Sequence, residues 1–214
     1  AAPVRPRLAA SLVVFRQGAK GPEVLMGRRG AGARFMAGQH VFPGGAVQRS
    51  DARRWVGEEE NGFEGTVRAL ARAAVRETFE ETGILVGRRA EGAASSFAPA
   101  GCLDPVEAAY RERRLTPALG ALRLIARAIT PTRSRIRFHA HFFLVDERHC
   151  IGDPCSGEEL EEVRFYPTRD GLPEPIADVT QFVLRRALAI IDGSAPEGVP
   201  LYSYVGGMPR IRWG

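Results

Sequence analysis

The chain has 214 residues, 44% hydrophobic and 26% charged, a globular composition that excludes disordered and fibrous classes. Its length suits one domain with a sizeable core, and a net charge of +5, carried almost wholly by arginine with Lys20 as the only lysine, suits phosphorylated ligands, although a GC-rich coding sequence produces the same bias. No run of about 18 apolar residues predicts a membrane span, the Pro- and Arg-bearing start lacks the apolar stretch of a secretory signal, and three cysteines (Cys102, Cys150 and Cys155) without a C-x-x-C pair argue against a disulfide framework or structural zinc. A reducing cytoplasm is the expected setting.

In chain order, residues 10–15 (ASLVVF) and 23–26 read as strands, and 27–38, rich in Gly and Arg, as a loop. Residues 40–42 form a short strand running into Pro43-Gly44-Gly45. Residues 48–65 are polar and read as an inserted surface loop, with Glu58, Glu59 and Glu60 as a solvated acidic face. The clearest helix is 66–82, where Val67, Ala71, Val75 and Thr78 give the spacing of a buried stripe and Gly83 a stop. A strand starts at 84–86. Residues 87–117 are a second insert with a helix at 105–114, a length typical of a lid. Strands follow at 122–129, 138–145 and 162–166. The helix at 176–191 turns Val179, Phe182, Val183, Leu188 and Ile190 or Ile191 inward, and 210–213 reads as an edge strand. Strands mixed with two main helices predict an α/β sandwich with a mixed sheet. His139 and His141 share one strand face without a third ligand, and read as ordinary core or surface residues. Basic residues lack interleaved aromatics, so no nucleic-acid platform is expected.

On the 66–82 helix, Glu77, Glu80 and Glu81 fall within an arc of about 100°. Such crowding costs stability in an isolated helix, and a divalent cation reverses the penalty. Arg76 is within reach of a neighbouring carboxylate. Residues 76–84 read R-E-T-F-E-E-T-G-I, which resembles the second half of the Nudix box, G-x5-E-x7-R-E-U-x-E-E-x-G-U, with Thr78 departing from the aliphatic U. Phe42-Pro43-Gly44-Gly45 matches the start of the box. Counted back from Arg76, the first acidic position falls on Arg68, which lies 23 positions after Gly45 where the pattern has six, so 17 residues are extra and the acid is read as replaced. The resemblance implies a single Nudix domain over 1–214, an α/β/α sandwich with two inserted loops at about 48–65 and 87–117. It also implies Mg²⁺ or Mn²⁺ held by Glu77, Glu80, Glu81 and the Gly45 carbonyl, and hydrolysis of a diphosphate linkage. Arg76 belongs to the same catalytic set. The base is expected to be a box Glu or one of Glu158, Glu159, Glu161 and Glu162.

Residues 25–45 resemble the coenzyme A pyrophosphatase signature, L-L-T-x-R-S-x3-R-x3-G-x3-F-P-G-G, at Leu25, Arg29, Arg34, Gly38 and 42–45, with departures at Met26, Gly27 and Gly30. The long box insert resembles a peroxisomal branch of those enzymes. This implies Arg29, Arg34 and Gly38 as substrate-binding residues and coenzyme A or a thioester as substrate. Two alternatives stay open: a Nudix hydrolase of ADP-ribose or a dinucleotide, and a non-catalytic ligand-sensing Nudix domain. The expected partner is a small nucleotide, with no nucleic acid or membrane, and a homodimer is among the arrangements left open.

Overall fold

The computed structural model describes residues 4–58, 62–90, 104–169 and 171–213. In chain order the elements are β1 (Arg7–Gly18), β2 (Gly21–Arg29), β3 (His40–Val41), β4 (Gly44–Ala46), α1 (Gly65–Thr82), β5 (Leu85–Arg89), α2 (Pro105–Glu112) and β6 (Leu115–Pro117). They continue with β7 (Arg123–Ile129), β8 (Phe138–Asp146), β9 (Cys150–Ile151), β10 (Leu160–Pro167), α3 (Asp178–Ile191), β11 (Leu201–Val205) and β12 (Met208–Arg212). The main sheet runs β10-β2-β1-β8-β7-β11-β12, with β3 added to β2 and β4 to β1. It is mixed: β1 lies parallel to β8 and β7 parallel to β11, while the other neighbours are antiparallel. Parallel neighbours need long crossovers, and the chain supplies them with α1 on one face and α3 on the other.

Alternation along β1 feeds both layers. Ala10, Leu12 and Val14 join the core under α1, and Val13 the core under α3. The expected α/β/α sandwich with a mixed sheet is therefore the observed architecture. β2 reaches Arg29, so the first part of the expected 27–38 loop is strand. On α3, Phe182, Val183, Leu184 and Ala187 are buried, whereas Leu188, Ile190 and Ile191 are only half-buried. No helix of the described residues is long and apolar enough to cross a membrane.

The first insert is not a surface loop. Asp51, Trp55 and Glu58 are buried against α1, and Glu58 receives Arg72 Nε at 2.7 Å and a second Arg72 nitrogen at 2.9 Å. A buried guanidinium demands a partner, which is why Glu58 turns inward rather than forming a solvated face; Glu59 and Glu60 lie outside the described residues. Helix α1 is consequently buried on more sides than a single apolar stripe requires, from Leu70 through Arg76.

The second insert also builds core. Asp104 caps α2 by accepting Val106 N at 3.1 Å, and Pro105 occupies the first turn. Val106, Ala109 and Tyr110 enter the α1 core, and the Tyr110 hydroxyl donates to Val86 O at 2.6 Å. β5 pairs with β6 and β9 in a small separate sheet. Residues 91–103, including Cys102, lie outside the described residues. Tyr110→Ala is expected to cost about 3–5 kcal/mol of unfolding free energy, because it empties a packed site beside Trp55 and strands a buried carbonyl. Denaturant titration checks this; a loss under about 1 kcal/mol would contradict a core role for α2.

Candidate active site

The C-terminal half of α1 lies against β4, whose Gly44 and Gly45 pair with Ser11 and Ala10 of β1. A Cβ on Gly45 would collide with the Glu77 carboxylate, so only glycine lets backbone and carboxylate approach this closely. Gly44 N donates to Glu81 Oε2 at 2.8 Å. Arg76, almost wholly buried, donates from one terminal nitrogen to Glu77 Oε1 at 2.8 Å and Glu80 Oε2 at 2.9 Å. Thr78, where the pattern has an aliphatic residue, is fully buried yet satisfied, its hydroxyl donating to Ala74 O at 2.7 Å within the helix. Gly83 ends α1 in the left-handed region at φ 75°.

The other side of Arg76 corrects the sequence alignment. Its Nε and second terminal nitrogen grip the buried Asp51 carboxylate at 2.9 and 3.1 Å. Asp51 lies six positions after Gly45, where the box has its first acid. The acid is thus present as Asp rather than replaced by Arg68, and the 17 extra residues fall after it, inside the spacer before Arg76. Counting forward from Gly45 reveals this; counting back from the helix hides it. Arg68 instead donates to Phe63 O at 2.7 Å.

Burial raises the pKa of Glu77 and of Glu80 against the opposing pull of Arg76, with neighbouring acids adding to the rise. Burial pushes Glu81 up to about 8, against the Gly44 N–H and Arg29. Burial works against the Arg76 charge too, but Asp51 and Glu77 outweigh it and its pKa is raised. Glu81 Oε1 is a buried acceptor with no hydrogen-bond partner among the described residues, and the donor set is all hard oxygen, as Mg²⁺ or Mn²⁺ prefers. These residues fit such an ion, although among the described residues no three acidic, His or Cys side chains already converge as a cage; Arg76 holds one oxygen each of Glu77 and Glu80. A bound divalent ion would polarise a diphosphate and lower the pKa of an attacking water. Glu77, Glu80 and Glu81 would hold it, while Arg76 and Asp51 fix where two of those carboxylates stand.

This corner opens into a cleft of about 560 Å³ lined by Gly44, Gly45, Glu77, Glu80, Arg29 and Glu159 at this end. Arg29 Nε is buried without a hydrogen-bond partner among the described residues. Arg34 is exposed on the β2–β3 loop and is not part of the lining. Gly38 holds that loop's turn at φ 71°, its N–H donating to Arg29 O at 2.9 Å. Of the four later acids, Glu159 lines the cleft and acts electrostatically on Glu77 and Glu81. Glu161 and Glu162 are engaged with Arg28 at 2.5 and 2.9 Å, and Glu158 is exposed outside the lining. No residue of α2 lines the cleft, so the described part of the second insert is not a lid. His139 and His141 stack at 4.5 Å, and burial lowers both pKa values, that of His141 to about 4. Burial pushes the Cys150 thiol up to about 12, which suits no nucleophile.

No protein-family model matches the chain. A solved NUDIX hydrolase from Alicyclobacillus acidocaldarius is 36% identical, with a TM-score of 0.68 over 87% of this chain and 92% of that one. A Caenorhabditis elegans protein named "putative nudix hydrolase 7" is 33% identical over 177 residues, 80% of this chain; the chain spans 55% of that relative's length. A MutT NUDIX hydrolase from Burkholderia pseudomallei shares the fold at 19% identity and a TM-score of 0.52, over 86% of this chain and 98% of that one. With Asp51 restored to its place in the box, and a relative of similar length at 36% identity, the chain belongs to the Nudix hydrolase family.

Proposed function

We propose that this protein hydrolyses the diphosphate linkage of a nucleoside diphosphate derivative with Mg²⁺ or Mn²⁺, and that its substrate is coenzyme A or an acyl-coenzyme A, cleaved to 3′,5′-ADP and a 4′-phosphopantetheine product. The observation that carries the reaction class is the pair Glu77 and Glu80 in the cleft lining with Gly44 and Gly45, backed by the buried Glu81 bound to Gly44 N. We assign the proton-accepting role to Glu159, because of the four later acids it is the one in the cleft lining. The coenzyme A reading draws support from the Arg29, Arg34 and Gly38 pattern. Arg29, which lines the cleft and whose buried Nε has no hydrogen-bond partner among the described residues, supports it too, as a donor suited to a phosphate.

The test offers coenzyme A, butyryl-coenzyme A, dephospho-coenzyme A, ADP-ribose and a diadenosine polyphosphate at equal concentration with Mg²⁺. The expected result is a coenzyme A preference of roughly 10–10² in kcat/KM over dephospho-coenzyme A, the worth of one charge-assisted contact. Arg29→Ala should remove most of that preference. Faster turnover of ADP-ribose than of every coenzyme A species would overturn the substrate assignment and leave the reaction class standing.

A further inference from the structure

The cleft has a second end. Register across the sheet aligns Ala46 with Ala9, Ala9 with Ala140, Ala140 with Ala128, and Ala128 with Tyr202. All five line the cleft. Four small side chains in a row, on adjacent strands β4, β1, β8 and β7, leave a low floor. It runs from the Glu77 corner to β11, about 19 Å at the usual interstrand spacing. A diphosphate held at the corner therefore has room for its organic group along that floor.

The floor ends on Asp178, Tyr202 and Tyr204. Tyr202 donates its hydroxyl to Asp178 Oδ2 at 2.9 Å, and Tyr204 donates to Asp178 at 2.8 Å. Asp178 also accepts Val179 N at 2.7 Å. Both phenol protons are thus committed to the carboxylate, and burial together with Asp178 raises both phenol pKa values, so the protons stay in place. Tyr204 also reaches Asp178 Oδ2 at 2.9 Å, so each carboxylate oxygen already has two contacts, and what remains for a ligand is the lone pairs of the two phenol oxygens. This end of the cleft accepts hydrogen bonds and carries the Asp178 charge, with Arg185 acting electrostatically on Tyr202 from nearby.

We infer that Asp178, Tyr202 and Tyr204 form a specificity subsite for the organic end of the substrate, one that takes an uncharged group bearing N–H or O–H donors and rejects a second anion. This rests on the cleft being the diphosphate-binding site, and not on coenzyme A being the substrate. For a coenzyme A thioester it orients the molecule, placing the 3′-phosphate toward Arg29 and the amide-bearing pantetheine arm toward Asp178.

Two pairs of compounds matched but for one carboxylate test it: butyryl- against succinyl-coenzyme A, and UDP-glucose against UDP-glucuronate. Wild-type protein should favour the neutral member of each pair it turns over by roughly 3-fold or more in kcat/KM, the scale of a like-charge contact at a solvent-exposed carboxylate such as Asp178. Asp178→Asn should bring the ratio close to one, since the amide keeps the shape and loses the charge. If neither pair is turned over, calorimetric Kd values for the same four compounds are read for the same ratio. Discrimination in the sugar pair alone would remove coenzyme A as substrate and keep the subsite. A wild-type ratio near one overturns the inference, whether or not the variant folds. So does an Asp178→Asn protein whose Tm falls while its ratio stays at the wild-type value, the behaviour of a mere staple between α3 and β11.

Discussion

Glu81→Gln is expected to lower kcat by roughly 10²-fold or more at saturating Mg²⁺, with Glu80→Gln close behind, and with the fold intact. Glu81 is buried; one oxygen accepts from Gly44 N and the other has no partner among the described residues. Glutamine keeps the shape, and its carbonyl still accepts from Gly44. It places a neutral amide where the free carboxylate oxygen stood, so the site loses a hard anionic ligand. Stability should change little, because burial already disfavours the Glu81 charge more than Arg29 favours it. Glu80 is more exposed and shares Arg76 with Glu77, so its replacement also leaves Arg76 well paired. Steady-state kinetics beside thermal unfolding check both halves. Near wild-type turnover in both variants would remove the carboxylates from the chemistry.

Asp51→Ala should be the most damaging single change to the fold near the site, costing about 3–5 kcal/mol, the usual penalty for leaving a buried ion unpaired. Arg76 and Asp51 side chains are each about 1% exposed, and the pair is bidentate. Losing Asp51 leaves a buried guanidinium held, among the described residues, by Glu77, Glu80 and the Ala46 carbonyl. Arg76 would then draw those two carboxylates away from the cleft, so kcat should fall at least about 10-fold with KM less affected. Asp51→Glu, the residue the box pattern places there, should recover most of the kcat that Asp51→Asn loses. That rescue separates a positioning role from a merely structural one. Wild-type Tm and kcat in Asp51→Ala would contradict the assignment.

Much of the site is legible in the sequence because it is local. Glu77, Glu80 and Glu81 share one helical face, so their spacing alone brings them together, and Gly44–Gly45 announces itself as the only backbone slim enough to meet them. Helices and strands with one buried face also read correctly to within a few residues, as α1 and β8 do. The errors come from long-range contacts. Asp51 and Glu58 sit in a polar stretch with no periodicity, and their burial depends on Arg76 and Arg72 across 25 and 14 residues. Helix α2 carries clear capping signals, yet nothing in its own residues says that it packs behind α1 rather than over the cleft. The far end of the cleft is assembled by parallel pairing of β7 with β11 and by the first turn of α3. Asp178, Tyr202 and Tyr204 therefore had no sequence signature at all. Gly38 illustrates the converse: it matches a substrate-binding signature, and its structural position is a loop turn.

The measurement that bears most directly on the central claim is product analysis of purified protein with a panel of nucleoside diphosphate derivatives. It is run with Mg²⁺, with excess chelator, and with Glu81→Gln in parallel. The account predicts two phosphorylated products from cleavage within the diphosphate of at least one compound, abolished by chelator and reduced roughly 10²-fold or more in the variant. No diphosphate cleavage in any member of the panel, or cleavage that neither chelator nor Glu81→Gln diminishes, would contradict it. Binding of a nucleotide without turnover would instead point to a sensing domain.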